Sequence, residues 1–467
     1  MASALAVCTL GRMQDDAGLK RTLGRRDIVL FTVSAILLLD TLAAGATVGA
    51  PAIFWWLFLG AVFFLPYALI CAEMGTTYPE QGGLYAWVRD AFGRRWASRA
   101  TWAYWVNTAV WIPAVFILFA GIFSQMFAPN LSLIAQIGIG VGLTWLAVLV
   151  NVITLSVGKW VPNIGAIIKA IVIVAIMVGA LLHLQSHGMA NPLTVDSMTP
   201  TWDTSVQYLS VIIYGMLGFE LASAGSEEMK NPARDVPRAI LVSGLIIIVF
   251  YTLATAAILA AIPAGEIDLV EGLMDTLYLF FGSTAGGRAF ALALGIGTLY
   301  TFFSNGVTWA LGCNRAMAEA AQEGEFPSAF AIEHDRLRTP VGAAALMGVV
   351  STTVLVAYGF LAGSNVDLFW SLFAFSAVIF LIPYILLVLA FVRMRAIDPD
   401  RPRPYRVPGG DGVAKAVAYS CAGLLTLALI LFIYTPGQGV DPAVLIGALV
   451  VLALGETIIR ITERTRS

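Results

Sequence analysis

About twelve times along this chain the sequence runs some 20 residues with almost no charge, and that repetition dictates the fold class. A helix rises 1.5 Å per residue, so such a run matches the roughly 30 Å hydrocarbon core of a bilayer. Backbone groups inside lipid must pair within their own segment, so the runs must be helices and not strands. They fall near 28–48, 52–74, 97–127, 131–155, 162–184, 206–226, 238–262, 285–317, 340–362, 367–393, 412–434 and 441–460. Of the 467 residues 59% are hydrophobic and only 12% charged, which excludes a soluble or nucleic-acid-binding chain. The first run starts near Ile28 behind a polar segment without a small-residue cleavage site, and reads as a retained span. The expectation is an all-α polytopic membrane protein with 12 transmembrane helices. A tail covers 1–27, a core 28–393 (about 28–184 and 206–393), two further helices 412–460, and a second tail 461–467.

Charge between the runs tests this count independently. One side receives Lys20, Arg21, Arg25 and Arg26, then Arg89, Arg94, Arg95 and Arg99. Lys159, Lys230, Arg234, Arg238, Arg315, Arg336, Arg338, the 393–415 cluster, Arg460, Arg464 and Arg466 follow on that side. The other side receives little besides Arg288. By the positive-inside rule both termini are cytoplasmic, with the chain in the plasma (inner) membrane. Residues 82–87 and 318–338 are amphipathic enough for short surface or re-entrant helices. Trp55, Trp56 and Trp202 suit the interfacial aromatic belt.

The chemistry sits inside the spans. Asp40 falls in the middle of the first, and an ionisable group at bilayer depth costs roughly 2.5–3.5 kcal/mol on insertion scales. It therefore faces a partner or a water-filled path. Asp40-Thr41 precede Gly45 and Gly49; span six carries Tyr214-Gly215, Gly218, Glu220, then Ser223, Gly225 and Ser226. Polar, glycine-interrupted spans at matching places of two halves mark transporter binding sites, and one and six match if five plus five inverted spans are followed by two more. The glycines alone suit tight helix packing equally well. An acid in each span favours a site. Lys169 is a third buried charge, either an ion-pair partner or a fixed cation that titrates between states and stands against sodium coupling. Tyr214, Trp309 and Tyr384 could stack on a bound cation, or simply pack.

Cys8, Cys71, Cys313 and Cys421 show no paired spacing, and His183, His187 and His334 are too scattered for a metal cluster. No cofactor or metal is expected. No His-Glu-x-x-His or Gly-x-Ser-x-Gly signature or paired catalytic aspartates occur, so an enzyme is not expected. No continuous pore-lining polar row suggests a channel. A non-transporting membrane sensor is the remote alternative.

Several segments carry a family resemblance: Ala72-Glu73-Met74 with Glu80-Gln-Gly-Gly-Leu-Tyr-Ala-Trp87, Gly218-Phe-Glu220, Glu228-Met-Lys-Asn231-Pro-Ala-Arg234, Asn314-Arg315, Gly324-Glu-Phe-Pro327, and Tyr405-Arg-Val-Pro408-Gly-Gly410. In order and spacing they resemble the amino acid–polyamine–organocation transporters, nearest the glutamate/GABA antiporter branch. The resemblance implies the LeuT-type fold of 5+5 inverted repeats with two additional C-terminal helices, alternating access, proton coupling or exchange, and a possible homodimer. It implies that Tyr214 is an aromatic gate, that Trp309 and Tyr384 line the cavity, and that Lys169 and Glu220 are proton-coupling candidates. The expected substrate-binding set is Asp40, Thr41, Tyr214, Gly215, Gly218, Glu220, Trp309 and Tyr384. One departure bears on substrate. Many members hold a substrate carboxylate on Gly-Ser-Gly in span one, but here the place reads Leu39-Asp40-Thr41, similar to bacterial putrescine importers. A carboxylate there repels an acid and attracts an ammonium. Partners are then a small amine or amino acid, protons and the lipid bilayer. The charged segment 227–235 is read as a solvated loop or an inner gate.

Overall fold

The structure, a computed structural model, describes residues 24–79, 83–153, 160–201, 209–221, 232–267, 272–436 and 439–466. In chain order, α1 (Arg25–Ile36) and α2 (Leu39–Ala46) form one apolar span bent by 48°. Helix α3 (Pro51–Thr77) contains a π turn over Gly60–Phe64. After the short α4 (Leu84–Phe92) come α5 (Arg94–Phe127), α6 (Leu133–Val152) and α7 (Trp160–His187). The second half begins with α8 (Leu209–Tyr214), followed by α9 (Pro232–Ala261), α10 (Gly272–Phe281) and α11 (Ala285–Gln322). Then come α12 (Val341–Gly359), α13 (Asn365–Ile397), α14 (Gly410–Ile433) and α15 (Pro442–Arg466). A two-residue hairpin pairs Tyr434–Thr435 with Gly439–Val440.

Ten of the described helices are long and apolar enough to cross a membrane, and the bent α1–α2 pair makes an eleventh candidate. Eleven of the expected runs fall on described helices, with ends displaced by a few residues. The displacement is outward at charged ends: α5 starts at Arg94 and α13 ends beyond Arg395, because long cationic side chains can reach the interface while the helix continues. The run expected at 206–226 is described only over Leu209–Leu221.

Two local expectations change. Residues 318–322 continue α11, and the rest of 318–338 holds a single 3-10 turn, Ser328–Ala331, in place of a surface helix. Trp56 is no belt residue. It is fully buried and stacks on Tyr251 with ring centroids 4.2 Å apart, its indole N–H donating to Thr255. Trp202, Glu80 to Gly82, and 222–231, with Ser223, Gly225, Ser226 and most of the charged 227–235 segment, lie outside the described residues.

Helix α5 occupies the centre: 89% of its apolar window is buried, against 22% for α15, whose outer face is left for lipid. At the contact of the two, Gly455 lies where any side chain would meet the Trp102 ring, and the Trp102 indole donates to the Val451 carbonyl at 2.9 Å.

Candidate functional site

Leu37 and Leu38 interrupt the first span, and an interruption at membrane depth strands backbone groups that cost several kcal/mol each if left alone. Three side chains resolve this for three successive carbonyls at the end of α1. The Lys169 ammonium donates to Ser34 O at 2.6 Å, the Trp309 indole to Ala35 O at 3.0 Å, and the Tyr251 hydroxyl to Ile36 O at 2.6 Å. The same Tyr251 oxygen accepts the Leu38 N–H at 2.8 Å, so one hydroxyl bridges both sides of the break. Lys169 also donates to Asn305 Oδ1.

Asp40 stands in the first turn of α2 and is 1% exposed. Among the described residues no side chain hydrogen-bonds either carboxylate oxygen, and the backbone amides of Asp40 and Thr41, at the positive end of the helix, favour its charged form. Electrostatically it interacts with Lys169, Tyr214 and Tyr251. A helix terminus partly balances a carboxylate, and a buried anion with no side-chain partner is a strong attractor for a cation.

The sixth span breaks beside it. Helix α8 ends at Tyr214, Gly215 and Met216 turn, Gly218 takes φ +130°, and a 3-10 turn runs over 219–221. A Cβ on Gly215 would sit 2.2 Å from Thr41 Cγ2; one on Gly218 would sit 3.0 Å from Ile36 and 3.2 Å from Trp309. These glycines thus have both roles weighed from sequence: they are close-packing positions, and what they let approach is the other interrupted helix.

Glu220 is held differently. Its Oε1 accepts from Tyr104 (2.8 Å) and Tyr384 (2.6 Å), and its Oε2 from Tyr67 (2.9 Å). Tyr384 therefore meets this acid with its hydroxyl and Phe380 with its ring, at 4.7 Å. Phe380 joins the aromatic positions into one cluster, 4.9 Å from Tyr214 and 5.2 Å from Trp309. Asp40, Thr41, Lys169, Gly215, Gly218 and Trp309 therefore gather at the breaks. Glu220 and Tyr384 form a second cluster, linked to the first through Phe380.

Sequence reasoning missed Tyr67, Tyr104, Tyr251 and Phe380. Each reads as one more aromatic residue in an apolar run. For the three tyrosines the available signal was that a buried hydroxyl almost always needs a partner; Phe380 carries no such signal.

Where the basic ends of the helices meet, acids are paired. Arg89 donates to Glu323 at 2.7 Å, Tyr85 donates to the same acid at 3.3 Å, and Ser98 donates to Glu325 at 2.9 Å. Burial, with Glu323 and Glu325 alongside, pushes the Tyr85 phenol above its ordinary value, so it stays a donor. Glu73 accepts from Arg395 at 2.9 and 2.5 Å and from the Val407 N–H at 2.7 Å.

Interrupted helices meeting around buried charges in a multi-pass bundle define a membrane transport protein. The sequence pattern described as "Amino acid permease" matches residues 23–454, and the chain belongs to that family of transporters. It is 33% identical to a probable agmatine/putrescine antiporter of Lactococcus lactis, over 92% of this chain and 93% of that protein. An uncharacterized transporter of Legionella pneumophila is 31% identical, over 85% and 86%. A glutamate/gamma-aminobutyrate antiporter of Lactococcus lactis is 24% identical, over 87% and 82%.

Proposed function

We propose that this transporter exchanges small alkylamines of the putrescine or agmatine type, with one ammonium group seated on Asp40. The observation that carries this reading is a buried carboxylate, at the junction of two interrupted helices, that no described side chain hydrogen-bonds. An ammonium supplies the donors such an anion lacks, whereas a substrate carboxylate would be repelled. The amine named for the 33% identical relative supports the same choice. The reading takes the chain as a 12-span protein of 5+5 inverted repeats with two additional helices, both termini cytoplasmic, in the plasma membrane.

In the proposed cycle Thr41, Gly215 and Gly218 shape the pocket and let the substrate approach backbone. Tyr214 and Trp309 cover the cation with their ring faces. Tyr384, with Glu220, closes the path beyond. Lys169 and Glu220 carry proton coupling, Lys169 because its ammonium ties α7 to the end of α1 and would release it on deprotonation. The glutamate/GABA-type antiporter is the second reading, favoured by the 24% identity over most of the chain. It requires Asp40 to be protonated.

Proteoliposomes loaded with unlabelled substrate separate the two. Labelled putrescine or agmatine should exchange, labelled glutamate should not, and Asp40→Asn should abolish the amine exchange. Glutamate exchange that survives the substitution would overturn the amine reading.

A further inference from the structure

The basic face holds a second charged hollow, away from the interrupted helices. Near their ends α5 and α15 leave an open cleft of about 480 Å³ lined by Arg95, Arg99, Glu456, Arg460, Glu463 and Arg464. Four guanidinium groups thus face two carboxylates. Arg95 contacts Glu463 at 2.8 and 3.1 Å, Arg99 contacts Glu456 at 2.9 and 3.2 Å, and Arg460 contacts Glu456 at 2.8 Å. A guanidinium carries five N–H donors in a fixed fork, so a carboxylate on one edge orients it while leaving donors for another anion. The Arg95 and Arg460 side chains are 72% and 68% exposed. The edges of Arg95 and Arg460 that Glu463 and Glu456 leave unused are open to an entering anion.

Depth identifies what enters. The candidate span of α15 runs Val444–Thr465, and Arg464 lies near its far end, 20 residues from Val444; about 30 Å of helix matches the hydrocarbon thickness. The guanidinium groups therefore sit at the level of lipid phosphates. Beside them Trp96 is exposed, with the Arg99 guanidinium 5.0 Å from its ring centre, as suits an aromatic side chain at the membrane interface. Below the cleft Ile446, Leu449, Val450 and Leu454 present an exposed apolar stripe. A free inorganic anion has no use for that stripe, whereas a phospholipid fits both parts.

We infer that the cleft between α5 and α15 binds the phosphate of an anionic phospholipid, whose acyl chains run along the apolar stripe of α15. The test uses the full chain in detergent, melted with phosphatidylglycerol, with phosphatidylcholine, or with inorganic phosphate at matched ionic strength. Phosphatidylglycerol should raise the melting midpoint above that in phosphatidylcholine, and inorganic phosphate should not. The double variant Arg460→Gln/Arg464→Gln should lose most of that increment. An undiminished increment in the variant, or an equal one from inorganic phosphate, overturns the assignment. Should the variant already melt early in phosphatidylcholine, native mass spectrometry of the folded fraction decides. Preferential retention of phosphatidylglycerol by the wild type upholds the site, and equal retention by both proteins removes it.

Discussion

Asp40 and Glu73 are both buried carboxylates in apolar helices, at 1% and 2% exposure, yet the protein treats them in opposite ways. Glu73 receives Arg395 in a two-pronged contact, the Val407 amide, and Arg403 at 3.3 Å. Arg395 in turn reaches Asp411 at 2.7 Å, so its one guanidinium ties α3, α13 and α14 together. Asp40 takes no side-chain donor among the described residues. The difference separates an acid that ties helices together from one that, in the function proposed above, is kept available. A fully paired buried ion contributes to a fixed arrangement, and its loss strands the partner charge; an unengaged one keeps its desolvation penalty until a ligand relieves it.

The contrast is easiest to break at Glu73. Glu73→Ala should lower stability by about 3–5 kcal/mol, because it leaves the Arg395 guanidinium buried without its main partner. Thermal melts in detergent would register the fall, and Glu73→Ala/Arg395→Met should recover much of it.

The next effect is at the break in the first span. Tyr251→Phe removes the hydroxyl that serves both Ile36 O and Leu38 N–H, and a stranded buried backbone group costs about 1–3 kcal/mol. Exchange measurements should show a loss of apparent affinity along with the lower melting point, since the bridge sets the position of Asp40 two residues on. Unchanged affinity would mean that the break is held by Lys169 and Trp309 alone.

A smaller change sharpens the contact between the two interrupted spans. Gly215→Ala places a methyl against Thr41 and should cost about 1–3 kcal/mol, as overpacking of a close contact does. Adding Thr41→Ser removes the opposing methyl and should return part of both stability and exchange. No recovery would separate Gly215 from Thr41.

Legibility from sequence followed the same division. Helix positions were readable because hydropathy and basic connections report directly on the bilayer, which acts on every span alike. Asp40 and Lys169 were readable because a charge in an apolar run is costly wherever the rest of the chain lies. What could not be read is what depends on distant pairing. Glu73 stood in a quoted motif, but its partner Arg395 is 322 residues away. Tyr251 and Tyr104 owe their roles to one hydroxyl each, and nothing in the local sequence distinguishes such a hydroxyl from those of other tyrosines in the spans. Trp56 was misplaced for a related reason. An aromatic near a helix end suits the interface by position, and only the stack on Tyr251 places it inside.

In the proposed function Asp40 waits for a substrate cation, and ligand-dependent melting of Asp40→Asn probes that role without intermediate steps. Putrescine or agmatine should raise the wild-type midpoint, Asp40→Asn should remove this rise, and the variant without ligand should be at least as stable as the wild type. An Asp40→Asn protein that is markedly less stable, yet still stabilised by the amine, would contradict that role.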